Sequence, residues 1–534
     1  RIMSNPTSMQ PILVDGRSVQ AQAPAGSFHA FDPLQGKELD AHDYPISGWA
    51  DLDAMLDAGQ RAAAEMATLP GERIGAFLDA YAAAIEARAD ALVETAHRET
   101  GLPLEGRLRN GELPRTTGQL RQAANAARDG SWARPTIDTA ADLRSMLEPL
   151  GGPVLVLGPN NFPFAFNGVS GGDFAAAFAA GNPVIAKAHP AHPHTSQLLA
   201  EAALEALQSS GLPTGAVQMF FHTSNELGLR VVADPRTAAV AFTGSRPAGM
   251  AIKAAADAAG TPAYLEMSSV NPVFVLGGAL RERGAAIAAE LAASCAMGAG
   301  QFCTRPGVTV LPPGADADAF VQEMQRLTAA TPAGVLLTPR SPQLVAEAVG
   351  ALRDAGAELL AGGEIADTAG YAFQPTLLKV SGSRFIEAPR ALQNEAFGQV
   401  SLLVLAESQA QLQQIAQALE GNLTGTIYSD TGGTDEAEYD ALAPALRHRV
   451  GRLINDRMPT GVAVSPAQNH GGPYPSTGHP GFTAVGIPAS LLRFAALHSY
   501  DHVRQQRLPL SLRDANPTGS LVRLVDGQLT TADL

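Results

Sequence analysis

Between residues 153 and 266, five short apolar runs alternate with Ala-rich segments, and this alternation constrains the fold more than any other feature of the chain. The runs cover 153–157, 184–186, 217–221, 238–242 and 263–265. Each is apolar at successive positions and so predicts a strand buried on both faces. The intervening stretches, about 168–180, 194–209, 225–232 and 246–258, predict helices. Strands alternating with helices imply right-handed crossovers and a parallel sheet covered on both sides. Ligands of such sheets bind beyond the C-terminal ends of the strands.

A second α/β set follows from residue 273 to about 465. Its predicted helices cover about 284–299, 317–330 and 342–355, and its strand-like runs 307–311, 402–405 and 426–428. Ahead of both sets, residues 1–50 read as an extended arm with a few strands. Residues 51–98 read as helical, with Ile74, Phe77, Leu78, Tyr81, Ile85 and Leu92 on one face. After Asn469 the chain turns rich in Gly, Pro and Ser, and a tail begins near Ser490.

Composition narrows the classes. With 46% hydrophobic and 17% charged residues, the chain is expected to fold throughout. Lys+Arg 37 against Asp+Glu 52 gives a net charge of −15, which argues against nucleic acid as a partner. No apolar run reaches the roughly 18–20 residues that cross a bilayer. Two cysteines cannot build a disulfide framework, so a reducing, cytoplasmic setting is expected. Arg1-Ile2-Met3-Ser4 lacks the apolar core of a secretory signal, and Met3 reads as a natural start.

The candidates for chemistry lie at strand ends. Gly298-Ala299-Gly300-Gln301-Phe302-Cys303 ends a small-residue helix and presents Cys303 in a glycine-flanked turn, where a thiol is accessible to act as a nucleophile, with a buried structural cysteine as the local alternative. Cys295, earlier on that helix, fits a structural thiol. Glu266 ends the fifth run and is a candidate base, although a capping or ion-pair acid looks the same locally. The loop Gly158-Pro159-Asn160-Asn161 follows the first run and can aim an amide at an oxyanion, although on local context alone a plain Pro/Asn turn is the favoured reading. Phe242-Thr243-Gly244-Ser245 closes the fourth run and opens a helix whose free N–H groups suit a pyrophosphate. Lys187 ends the second run, where it is placed either to meet a ribose or phosphate or to stand as a solvated charge. Two patterns mislead. Gly168-Val169-Ser170-Gly171-Gly172 matches a hydrolase elbow, but its Ser does not directly follow a strand. His189, His192 and His194 alternate with Pro190 and Pro193, which prevent a helix from presenting them together to a metal.

In this order, Asn161, Lys187, Phe242-Thr243-Gly244-Ser245, Glu266, Cys303 and Glu395-Ala396-Phe397-Gly398 resemble the aldehyde dehydrogenase superfamily over nearly the whole chain. The resemblance implies an α/β fold with three parts. These are a Rossmann-like cofactor domain (1–140 and 151–272), a catalytic domain (273–470), and an oligomerisation element made of a hairpin at 141–150 and the tail 490–534. It implies that Cys303 adds to the aldehyde and that Asn161 and the Cys303 N–H hold the oxyanion, a donor role worth roughly 3–4 kcal/mol. Glu266 is implied to activate the hydrolytic water. Lys187, Ser245, Glu395 and Phe397 are implied to bind the cofactor, and a homodimer or dimer of dimers is expected.

Departures from the family pattern refine this. The usual Pro-Trp-Asn reads Pro159-Asn160-Asn161, and the usual Glu-Leu-Gly-Gly reads Glu266-Met267-Ser268-Ser269. NAD-preferring members place a Glu three residues after the lysine, where this chain has Pro190. The loop from His222 to Gly228 lacks two glycines typical of the family. These features favour NADP, with NAD possible, and place His189 or His222 near the 2′-phosphate. Subfamily motifs, including Glu266-Met267-Ser268-Ser269-Val270-Asn271-Pro272, resemble the α-ketoglutaric semialdehyde dehydrogenases. Arg305 is then a candidate for the substrate carboxylate, against a structural alternative of equal weight. Phe162, Phe164 and Phe166 suggest an apolar tunnel wall, which would equally suit a long-chain aldehyde, although alternating phenylalanines are also what a packed segment looks like. A member that passes its thioester to coenzyme A is disfavoured by the retained Glu266. A non-catalytic relative is disfavoured because Cys303, Glu266 and Asn161 are all present.

Overall fold

The five apolar runs form the parallel centre of a seven-stranded sheet in the computed structural model, which describes residues 8–534. Arg1-Ile2-Met3-Ser4 lies outside the described residues. The strands are Val154–Leu157, Val184–Lys187, Val217–Phe220, Ala239–Thr243 and Ala263–Glu266. Val154–Leu157 is central. The chain runs outward from it through Val184–Lys187 to Val217–Phe220, then returns to place Ala239–Thr243 and Ala263–Glu266 on its other side. The strand order therefore reverses between Val154–Leu157 and Ala239–Thr243, and a crevice opens at that point beyond their C-terminal ends. The helices Gly172–Ala179, Pro193–Ser210, Asn225–Ala233 and Arg246–Ala259 fall where predicted. The arm adds two antiparallel edge strands, Ile12–Val14 and Arg17–Val19.

The stretch 51–98 is three helices, Trp49–Met66, Gly71–Glu86 and Ala89–Thr100. All six residues predicted on one face are buried. Leu92 belongs to the third helix, so the shared face is a shared core and not one helical stripe.

A second seven-stranded sheet runs in the order Glu358–Ala361, Thr376–Ser381, Val400–Leu405, Val308–Leu311, Val273–Val275, Asn422–Tyr428, Val450–Asn455. It is parallel except at Glu358–Ala361. The helix expected to continue to 299 is Gly277–Ala296 and stops earlier. Gly298, Ala299 and Gly300 take φ of +57°, +57° and +76°, a left-handed turn that ends the helix and swings the chain towards Cys303. At Gly300 a side chain is excluded outright, because a Cβ would lie 2.0 Å from the Gly398 carbonyl oxygen.

A third, five-stranded sheet joins Ala495–Asp501, Leu143–Pro149, Thr136–Asp138, Arg523–Val525 and Gln528–Thr530 in that order. The hairpin and the tail are thus one sheet, which also takes in residues 136–138. The tail is anchored by Arg493, fully buried, whose Nη1 donates to Asp173 at 2.8 Å while the guanidinium lies over Phe494 at 4.6 Å. No helix among the described residues is long and apolar enough to cross a membrane.

Candidate active site

Strand ends from both large sheets line one cleft of about 1190 Å³. Asn161 follows the first strand, Lys187 and His189 end the second, Phe242, Thr243, Gly244 and Ser245 close the fourth, and Glu266 closes the fifth. Cys303, Glu395 and Phe397 enter from the second sheet. Residues spread over 237 positions of sequence therefore meet because the C-terminal strand ends face one crevice.

At one end of the cleft the Cys303 Sγ, a Glu266 carboxylate oxygen and a His470 ring nitrogen all lie within 4.8 Å of one another. Glu266 is fully buried; its Oε1 pairs with His470 Nε2 at 3.0 Å, and its Oε2 has no hydrogen-bond partner. His470 is fixed in turn by its N–H donating to Thr483 Oγ1 and by the Phe166 ring at 5.8 Å. Burial pushes the Cys303 thiol well above its usual range, and the carboxylates of Glu266 and Glu395 push it the same way. The resting nucleophile is therefore a protonated thiol with a carboxylate beside it to receive its proton. His470 is invisible in sequence: it lies 204 residues from Glu266, in a Gly/Pro-rich loop with no motif around it.

Asn161 is buried; its Nδ2 donates to the Gln301 carbonyl at 3.0 Å, and its own carbonyl accepts from Arg107 Nη2. An amide nitrogen has two donors, so one remains for a ligand in the cleft. The nucleophile turn is held by Asn271 Nδ2, which donates to the carbonyls of Cys303 and Arg305 at 2.8 Å each.

At the other end Lys187 Nζ donates only to the Ala188 carbonyl, at 3.3 Å, and burial lowers its pKa to about 8. His189 lines the cleft beside it and is held neutral by burial. His222 does not line the cleft, although the Lys187 ammonium still adds to the burial that lowers its pKa to about 4. Ser245 caps the helix Arg246–Ala259, its Oγ accepting from Ala248 N–H, and Ser245, Arg246, Pro247 and Ala248 line the cleft, so the helix N-terminus faces it. The Glu395 carboxylate accepts from Ser269 N–H, and burial raises its pKa to about 7. A nicotinamide dinucleotide fits this set: a cationic end at Lys187, a capped helix N-terminus for pyrophosphate, and a carboxylate for ribose near the thiol.

Two sequence expectations need correction. Arg305 does not face the cleft. It is buried, its Nη2 donates to the Ala396 carbonyl at 2.7 Å, and its Nη1 donates to the Val400 carbonyl. Both ends of its fork serve backbone carbonyls, which is a structural role. Phe164 does not join a tunnel wall with its neighbours: it is buried in the core of the first sheet. Phe162 and Phe166 instead pack edge to face with each other at 5.1 Å, and Phe162 does so with Phe302 at 5.3 Å. Among the residues set aside, Ser170 is buried with its Oγ donating to the Phe164 carbonyl. Cys295 is buried against Ser401. His192 bonds the Pro159 carbonyl, and His194 stacks on His42. Replacing His470 by Leu strands a buried carboxylate oxygen; thermal unfolding should show about 1–3 kcal/mol lost. With it, kcat should fall roughly tenfold or more. An unchanged melting temperature and kcat would mean that the pairing orients nothing.

Comparison with known proteins agrees with this geometry. Residues 20–473 match the model of the aldehyde dehydrogenase family. Alpha-ketoglutaric semialdehyde dehydrogenase 2 of Azospirillum brasilense is 39% identical over 518 residues, covering 94% of this chain and 96% of that protein. The alpha-ketoglutaric semialdehyde dehydrogenase of Acinetobacter baylyi is 36% identical over 536 residues, covering 97% and 98%. The solved structure of a 1-pyrroline-5-carboxylate dehydrogenase from Thermus thermophilus shares the fold, with a TM-score of 0.79 at 23% identity over 92% of this chain and 93% of that one. By sequence and by fold, the chain belongs to the aldehyde dehydrogenase family.

Proposed function

We propose that the protein oxidises α-ketoglutaric semialdehyde to 2-oxoglutarate with NADP, through a covalent intermediate on Cys303. The cluster of Cys303, Glu266 and His470 at the end of the cleft carries this reading. Cys303 Sγ adds to the aldehyde carbon as its proton passes to the adjacent Glu266 carboxylate. The free N–H of Asn161 and the backbone N–H of Cys303 hold the developing oxyanion. When bound, the nicotinamide cofactor supplies the hydride acceptor. Glu266, oriented by His470, gives up the thiol proton to solvent, then takes a proton from water, and that water hydrolyses the thioester. A base retained beside the thiol supports hydrolysis over transfer to coenzyme A.

Lys187, Ser245, Glu395 and Phe397 hold the cofactor in this reading. NADP is favoured because Pro190 stands where a carboxylate would repel a 2′-phosphate, and because Lys187 and His189 stand together in the cleft. The keto acid is favoured by the two relatives that share more than a third of their residues with this chain. The third sheet is the proposed contact between subunits of a homodimer or dimer of dimers. Its two edge strands leave Leu497 and Leu529 65% and 75% exposed.

Steady-state kinetics with α-ketoglutaric semialdehyde and with decanal test the substrate. The expected kcat/KM for the keto acid is at least about a hundredfold higher, roughly 2.7 kcal/mol of discrimination. A reversed preference would make this a general or long-chain aldehyde dehydrogenase. The cofactor reading has its own pH signature. Burial lowers Lys187 to about 8, so it is an ammonium below that pH and neutral above it. The kcat/KM for NADP should therefore fall as pH rises through about 8, while that for NAD, which has no 2′-phosphate, falls less. Parallel profiles for the two cofactors would contradict a Lys187–phosphate contact.

A further inference from the structure

With Arg305 turned to the backbone, the carboxylate of a keto-acid substrate needs another partner, and two other guanidiniums lie close to Cys303. Arg115 sits in the first turn of the helix Leu113–Asp129. Its Nη1 donates to the Val462 carbonyl at 2.7 Å, and the guanidinium lies 5.7 Å from the Phe166 ring centre. Its Nε and Nη2 are buried with no hydrogen-bond partner among the described residues. Arg452, on the strand Val450–Asn455, donates through Nη2 to the carbonyls of Pro459 and Gly461 at 2.8 and 3.2 Å. Its Nε is likewise buried without a partner. Both cations therefore grip one loop, 459–462. That loop touches the nucleophile turn directly, because Gly461 N–H donates to Thr304 Oγ1 at 3.1 Å.

No carboxylate neutralises this pair by direct contact. Glu112 stands near Arg115, but its Oε1 accepts from the N–H groups of Phe164 and Ala165, and its Oε2 lies 3.4 Å from Arg107 Nε. Neither Arg115 nor Arg452 has an ion-pair partner among the described side chains. Burying a guanidinium without a counter-charge is costly, and carbonyl oxygens satisfy only part of its fork. An anion brought in by the substrate would complete the charge balance. Both guanidiniums feel the charge of a thiolate at Cys303, which places them within electrostatic reach of the reacting carbon. Burial lowers Arg115 from its usual pKa and lowers Arg452 to about 10, so both remain cations at neutral pH.

We propose that Arg115, supported by Arg452, forms the anion subsite that recognises the substrate carboxylate and so sets specificity for an acidic aldehyde. The subsite deepens the substrate reading above and rests on it. In α-ketoglutaric semialdehyde three carbons separate the aldehyde carbon from the carboxylate. The aromatic wall of Phe162, Phe166 and Phe302 flanks that short chain, and a guanidinium fork receives its end. Arg suits the role because its planar donors match a carboxylate two at a time.

The test compares Arg115→Gln with wild-type enzyme on α-ketoglutaric semialdehyde and on pentanal, an uncharged aldehyde of equal length. The ratio of the two kcat/KM values is the readout, since a merely structural loss moves both together. The ratio should fall about a hundredfold in the variant, chiefly through KM for the keto acid, the scale of a lost charge-assisted hydrogen bond. A ratio within about threefold of wild type would overturn the proposal. A second measurement needs no variant: 2-oxobutyrate, a keto acid without an aldehyde, should inhibit pentanal oxidation competitively, and its methyl ester should not. Equal inhibition by both, or none by either, also overturns it. If wild-type enzyme itself does not favour the keto acid over pentanal, the substrate reading fails, and 2-oxobutyrate alone then decides whether the anion subsite exists.

Discussion

The active site depends on how the segment Ser269–Asn271 is tied down where the first sheet gives way to the second. Asn271 takes a positive φ of 47°, a backbone state that Asn tolerates better than most side chains. In that state its amide holds the carbonyls of Cys303 and Arg305 together. Its own position is fixed from across the second sheet: Asn422 Oδ1 accepts from the N–H groups of Val270 and Asn271 and from Ser269 Oγ. The Asn422 contacts are buried, so each missing bond there would strand a polar atom at about 1–3 kcal/mol. Two asparagines thus set the distance between the strand that ends in Glu266 and the turn that presents Cys303. Ser269 N–H also holds Glu395, so the same few residues position the nucleophile, the base and the proposed ribose contact.

Around that junction the charges divide by function. Burial, reinforced by Glu266 and Glu395, raises the thiol pKa and keeps it protonated at rest, while Lys187 stands at the far end of the cleft. Arg107, Arg115 and Arg452 lie beside the aromatic cluster and the loop behind the thiol. An overall negative chain therefore carries local positive sites where the reading above needs anions bound.

Much of this was legible in the sequence, for identifiable reasons. Strands apolar on both faces, such as Val184–Lys187 and Ala239–Thr243, announce themselves, and the residues that end them mark the cleft. The pattern overextends the helix before Cys303, because its small residues look helical right up to the left-handed turn at Gly298. Arg305 was drawn to the substrate by its closeness to Cys303 in sequence; a turn places neighbouring side chains on opposite sides, and only the carbonyls of Ala396 and Val400 reveal which. Phe164 failed in the same way. His470 and Arg115 carried no local signal, since each acquires its role from residues more than fifty positions away. Partners of that kind become visible only once the two sheets are docked.

The central claim is that Cys303 carries the acyl intermediate and Glu266 releases it. The most direct measurement is mass spectrometry of the Glu266→Gln enzyme after incubation with α-ketoglutaric semialdehyde and NADP. The account predicts that NADPH forms more slowly, because Gln cannot take the thiol proton, and stops at one equivalent, leaving a peptide containing Cys303 that is heavier by one 2-oxoglutaryl group. An unmodified Cys303 peptide alongside undiminished turnover would contradict it.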